Sequence, residues 1–129
     1  MPRRAALLGR DDPGGWRRTF SRSEFEASEE RRAAERAGCT PVTDAVDRRR
    51  ASVFGVLRSV TLRSRQTVPA LEAELFDGTG AVHVVWLGQR RIQGIDPGRR
   101  IRLEGLVCEM EGRRTMFNPR YELAPRHES

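Results

Sequence analysis

Among the close arginine pairs of the sequence, two fall in expected loops between strands: Arg63 and Arg65 in RSRQTVP, and Arg113 and Arg114 in EMEGRRT. A groove that tracks a nucleic-acid backbone needs such cations at its walls. A guanidinium fork grips phosphate oxygens at two points and stacks on flat rings. The chemistry such pairs could do is to hold a polyanionic backbone. Arg58, Arg90, Arg91 and Arg120 are further cationic candidates. Phe76, Phe117 and Tyr121 could supply stacking surface, worth about 1–3 kcal/mol per base. The plainer account of the pairs is a solvated hairpin loop in an arginine-rich chain. All 24 basic residues are arginine and lysine is absent, and a basic patch alone is a weak footprint.

Other chemistries find little support. The sequence has no G-x-S-x-G, no H-E-x-x-H and no P-loop, so no catalytic residue is assigned and a non-enzymatic role is expected. His83 and His127 stand alone, and Cys39 and Cys108 share no motif. No metal or other cofactor is therefore expected, and two reduced thiols fit better than a disulfide. Glu72 and Glu74, two apart on one strand, would repel phosphate and must be directed away or paired, for instance Glu74 with His83. Residues 51–129 carry 12 arginines against 9 acidic residues, a net charge of +3. Binding of a polyanion through so modest a field should be weak and salt-sensitive.

The elements that must position these residues follow from pattern. The 129 residues suit one domain, and the net charge of +6 is compatible with a polyanionic partner. No stretch approaches the ~18 apolar residues of a membrane span, and the N-terminus lacks the apolar core of a signal peptide, so a cytoplasmic protein is expected. Residues 1–20, with Arg3, Arg4, Arg10 and the run DDPGGW, read as a flexible basic arm. Ser21 and Glu24 form a capping-box pattern that opens a helix ending near Gly38. Its apolar face is thin, Phe25, Ala33 and Ala37, so it should be stable only when docked, with Trp16 and Phe20 as candidate anchors. A barrel domain over residues 50–123 and a tail over 124–129 complete the expected organisation.

Five strand-like segments follow, at 51–63, 69–77, 81–87, 99–110 and 113–123, separated by turn signals. That pattern argues for a small all-β barrel or sandwich. Gly78-Thr79 suits the centre of a two-residue turn. The register then pairs Leu75 with Val82, Ala73 with Val84 and Leu71 with Trp86 on a wholly apolar face. The other face pairs Phe76 with Ala81, Glu74 with His83 and Glu72 with Val85. Trp86 thus points into the core, with a stacking role as the alternative. In the first strand Val53, Gly55 and Leu57 share one parity, and Val60 and Leu62 the other. A bulge near Arg58-Ser59 reconciles them.

The segments VFGVL, LEAELFDGTGAVHVVWL, IDPGRRIRLEGLV and NPRYEL, within residues 50–123, resemble the OB-fold of the tRNA-anticodon/helicase-wedge type. The whole chain is similar to the small stand-alone bacterial OB-fold nucleic-acid-binding proteins. The resemblance implies a five-stranded OB-fold Greek-key barrel, with the N-terminal α-helix and flexible arm before it, that binds single-stranded DNA or RNA without catalysis. It also implies use of the face of strands two and three and the loops after strands one and four. Arg63, Arg65, Phe76, Arg90, Arg91, Arg113, Arg114, Phe117, Arg120 and Tyr121 are then the candidate contacts. The segment GQRRIQGIDPG is too short for the helix that many OB domains carry between strands three and four. The helix before the barrel could close the barrel in its place. The alternative function is a protein-interaction module using the barrel face or that helix.

Overall fold

The computed structural model describes residues 21–125. The expected arm 1–20, its anchors Trp16 and Phe20, and residues 126–129 lie outside the described residues.

Helix α1 runs over Arg22–Arg36. Ser21 caps it: its hydroxyl accepts from the Glu24 N–H at 3.1 Å, and Glu24 reaches back to the Ser21 N–H at 3.1 Å. Gly38, at φ 73°, ends it. A single 3₁₀ turn follows at Val42–Asp44. Six strands come next: β1 Arg49–Arg65, β2 Val68–Phe76, β3 Ala81–Leu87, β4 Arg100–Met110, β5 Arg113–Phe117 and β6 Arg120–Leu123.

Strand β1 is long enough to pair twice. Its first half is antiparallel to β4, Arg49 opposite Val107 through Val56 opposite Arg100. Its second half is antiparallel to β2. Strand β3 pairs antiparallel with β2 and parallel with β5, and β5 returns antiparallel to β4. The five strands β1, β2, β3, β5 and β4 therefore close into a ring, the OB-fold barrel, which leaves no open edge within it. Two local devices let β1 turn that corner. Its register shifts between Leu57 and Ser59, leaving Arg58 unpaired in a bulge. Gly55 sits where a β-carbon would run into the Phe76 carbonyl and meet Leu75 Cδ2 at 2.9 Å, so the two strands approach closely there only because it is glycine.

The β2–β3 register is the one read from sequence, with Leu75 opposite Val82, Ala73 opposite Val84 and Leu71 opposite Trp86. Gly78 takes φ 91° at the turn. The inward parities of all strands meet in one core that includes Val53, Leu57, Leu75, Val84, Ile101, Leu103 and Met116. Trp86 belongs to this core and is only 4% exposed, which answers its placement in favour of packing.

Three expectations need correction. The final segment is two strands, because Asn118 adopts φ 50° and Pro119 has no N–H to give the ladder. The chain changes partners at that break. Asn118 donates its N–H to the Val85 carbonyl at 2.7 Å and accepts from the Leu87 N–H through Oδ1 at 2.9 Å, whereas β6 pairs only with β4. Secondly, RSRQTVP is not an open loop. Gln66 and Thr67, at φ 49° and 68°, make a two-residue turn, so Arg63 and Arg65 stand on β1 itself.

Thirdly, α1 does not close the barrel. It packs outside, along β1, with Phe54 and Val56 facing Ala33 and Ala37 across a shared cleft. Buried Ala33 and Ala34 are too small to fill a barrel, and Phe25 is 58% exposed. Val42 and Ala45 from the 3₁₀ turn and Ile95 from the β3–β4 connection enter the core instead. Helix α1 is held by polar clamps: Glu30 accepts from Arg100 Nη2 at 2.7 Å and from Nε at 3.2 Å. Its middle turns also lie against Gly78, where a β-carbon would strike the Ala27 carbonyl.

Candidate nucleic-acid interface

The outward parities of β1, β2, β3 and β5 form one continuous face. Across it run the rows Ser59–Glu74–His83–Thr115 and Thr61–Glu72–Val85–Phe117. A groove of about 350 Å³ opens on this face. Arg63 borders it from β1, and Arg113 and Arg114 from the start of β5; Ser59, Thr61, Glu74 and His83 also line it. One arginine of the first pair, Arg63, and both of the second thus border one groove, because β1 and β5 flank β2 and β3; Arg65 is bound to Glu72 beneath it.

Glu72 lies under the groove, 4% exposed. Its carboxylate accepts from Arg65 Nε at 2.6 Å and lies 2.8 Å from His83 Nε2 and 3.7 Å from Arg63 Nε. The expected partner of His83, Glu74, is its cross-strand neighbour, yet the imidazole turns to Glu72 along the diagonal. Diagonal neighbours in a twisted sheet come within reach of long side chains, and Glu72 is the carboxylate that Arg65 already fixes. Burial pushes the Glu72 carboxyl up, but the hydrogen bond and charge of Arg65, aided by His83, outweigh it and hold the carboxyl below its ordinary range. Burial, then the charge of Arg113, lowers the His83 imidazole despite the pull of Glu72.

Two aromatic candidates carry their own arginines. The bulge aims the unpaired Arg58 over Phe76, with the guanidinium carbon 3.6 Å from the ring centroid. Arg65 reaches over Phe117 at 5.8 Å. Both contacts are cation–π in kind; Arg58 is exposed, whereas Arg65 is part-buried and also bound to Glu72. Arg114 is engaged differently. It donates to the Thr43 carbonyl at 3.1 Å and the Ala45 carbonyl at 3.4 Å, tying β5 to the 3₁₀ turn. Arg63 is 63% exposed at its side chain, and Arg113 is exposed and in no ion pair among the described residues.

The remaining candidates lie elsewhere. Tyr121 packs edge-on against Trp86, 5.9 Å between centroids, and borders a second cleft with Arg91. Arg120 borders a third, with Arg102 and Glu122. Arg90 is exposed and lines none of the three. The structure therefore gathers Arg63, Arg65, Phe76, Arg113, Arg114 and Phe117 on one face, and separates Arg90, Arg91, Arg120 and Tyr121 from it.

Two readings of this face are sharpened. Arg58, one of several cationic candidates in the sequence, is singled out by the bulge, which re-aims its side chain over Phe76. Glu74, expected to pair with His83, is half-buried and, among the described residues, enters no hydrogen bond or ion pair. Among the described residues no group of three or more His, Cys, Asp or Glu could hold a metal ion, and no helix is long and apolar enough to cross a membrane.

Among solved structures, the chain is similar to that of RecG bound to a three-way DNA junction, with a TM-score of 0.56 over 67% of this chain at 23% identity. The chain spans 12% of the length of that protein, and the likeness is one of fold. No protein-family model matches the chain, and no curated protein matches it.

Proposed function

We propose that this chain binds single-stranded DNA or RNA, without catalysis, along the outer face of β1, β2, β3 and β5, and that it does so in the cytoplasm. The observation that carries this reading is the pair of walls. Arg63 and Arg113 face one groove from different hairpins, and on the same sheet face Arg58 and Arg65 lie over the rings of Phe76 and Phe117. A single strand needs cations that track phosphates beside planar surfaces that accept bases, and every base has a face to stack. Four guanidinium groups, Arg63, Arg65, Arg113 and Arg114, border or underlie the groove against two carboxylates, Glu72 and Glu74, which leaves a positive excess. RecG, solved on a three-way DNA junction, shares the fold over the matched region, and its DNA is in keeping with this reading.

Fluorescence anisotropy of a labelled oligonucleotide tests it. Arg63→Ala and Arg113→Ala should each weaken binding several-fold, while Arg36→Ala, on the far helix, should not. Equal effects from all three would refute the placement, and no binding at low salt would refute the function. One observation favours the other reading, a protein-interaction module: Leu62, Val68 and Leu87 stand 51%, 43% and 40% exposed near the far end of the β1–β2 ribbon. A partner seated there would be insensitive to Arg113→Ala.

A further inference from the structure

We infer that Glu74 reads the base, and that the groove prefers guanine. The inference rests on the nucleic-acid reading above and deepens it. A surface that follows phosphates is weakened by any carboxylate it leaves unneutralised. Glu72 is neutralised: Arg65 and His83 hold it, and it is buried. Glu74 is not. It lines the groove between Ser59 on β1 and His83 on β3, half-exposed, with no hydrogen-bond or ion-pair partner among the described residues. Arg63 and Arg113 line the same groove without pairing to it. A carboxylate in that position is a pair of acceptors waiting for donors.

The neighbouring platform fixes what those donors would be. Phe76 lies two residues along β2 on the same face, about 6.8 Å away along the strand, under the Arg58 guanidinium. A base stacked on that guanidinium presents its edge, not its face, toward Glu74. Single-stranded bases are commonly read on their Watson–Crick edges while stacked on rings or guanidinium planes. Guanine alone offers two adjacent donors there, N1–H and the 2-amino group, which match the two oxygens of one carboxylate. Cytosine and adenine place a ring-nitrogen acceptor beside their single amino group, against the second oxygen. Thymine and uracil flank one N–H with two carbonyls. Guanine O6, beside N1–H, would find a donor in the Ser59 hydroxyl, opposite Glu74 in the β1–β2 ladder.

The test uses the full chain and twelve-residue thymidine oligonucleotides with one central guanosine, inosine, adenosine or cytidine, followed by anisotropy. Wild-type protein should bind the guanosine oligonucleotide about 5- to 150-fold more tightly than the others, the discrimination of one bidentate base contact. Inosine, which lacks only the 2-amino group, should fall back toward the thymidine background. This arm needs no variant and so cannot be confused with misfolding. Glu74→Gln should erase the preference while binding of the plain thymidine oligonucleotide holds or tightens, since a charge repelling phosphate is gone. Salt-sensitive binding with equal affinity for all four oligonucleotides would overturn the role of Glu74 and leave the nucleic-acid reading standing. Failure of every oligonucleotide to bind would overturn both.

Discussion

Replacing Asp77 by asparagine changes one atom pair at the centre of the β2–β3 turn and should cost the fold heavily. Asp77 is fully buried. Its Oδ1 accepts from the Thr79 N–H at 2.9 Å, the Thr79 hydroxyl at 2.6 Å and the Gly80 N–H at 3.1 Å, and its Oδ2 accepts from the Val42 N–H at 2.8 Å. The last bond ties the 3₁₀ turn, whose Val42 is itself fully buried in the core, to the hairpin. An asparagine can keep its single carbonyl oxygen toward Thr79 and Gly80. Its amide nitrogen then faces the Val42 N–H, donor against donor. A hydrogen bond to a charged group contributes about 1.5–3 kcal/mol, and a buried donor left unsatisfied costs about 1–3 kcal/mol. These figures overlap, so about 3 kcal/mol is the expected loss. For a chain of this size that lowers Tm by about 12 °C. Urea denaturation followed by circular dichroism gives the free energy, with Thr79→Ser as the variant that keeps the hydroxyl and should stay within about 0.5 kcal/mol of wild type. If Asp77→Asn unfolds within about 0.5 kcal/mol of the parent, Asp77 is not the pin that joins the turn to the barrel.

Gly55→Ala should cost about 3 kcal/mol, because the new methyl meets the Phe76 carbonyl and Leu75 in a strand pair that cannot separate without opening the ring; a Tm equal to wild type would contradict the close approach. Glu30→Gln should cost about 1–2 kcal/mol, discounted for the part-exposed Arg100, and hydrogen exchange should quicken in α1 while the barrel amides stay protected. Acid should destabilise the protein in two windows. Folding disfavours protonation of both His83 and Glu72, so their stabilisation is complete above their ordinary values of 6.5 and 4.5 and is lost as pH falls through the lowered folded values. His83→Gln should remove the upper window alone in a urea-titration series across pH, and an unchanged upper window would show that another group causes it.

What the sequence revealed and what it concealed divide along physical lines. Alternation with period two and the glycine turn at 78 were enough for the whole β2–β3 register, because a slip of one residue would have turned Leu75 and Val82 outward. The parity change after Leu57 located the bulge for the same reason. The capping box at Ser21 is a local pattern and was legible as one. The turn at Gln66-Thr67 was hidden, since neither residue is one that ordinarily marks a positive φ. The diagonal Glu72–His83 contact depends on sheet twist, which no spacing in one strand reports. The outside position of α1 was set by Glu30 meeting Arg100, 70 residues away, and by the fact that two alanines cannot plug a barrel. Asp77 did leave a trace: an aspartate two residues before Thr79 suits an Asx turn, although nothing marked it as buried. In the candidate site, the residue types were readable and their grouping was not, because grouping depends on which hairpins face each other across the closed ring.

The central claim is that the groove between Arg63 and Arg113 holds the backbone of a single strand. The salt dependence of oligonucleotide affinity tests it most directly. Each phosphate neutralised on a single strand contributes about −0.7 to the slope of log affinity against log salt. The double variant Arg63→Ala/Arg113→Ala should therefore bind more weakly and show a slope smaller in magnitude by about 1.4. A double variant with the wild-type slope, or wild-type binding indifferent to salt, would contradict the account.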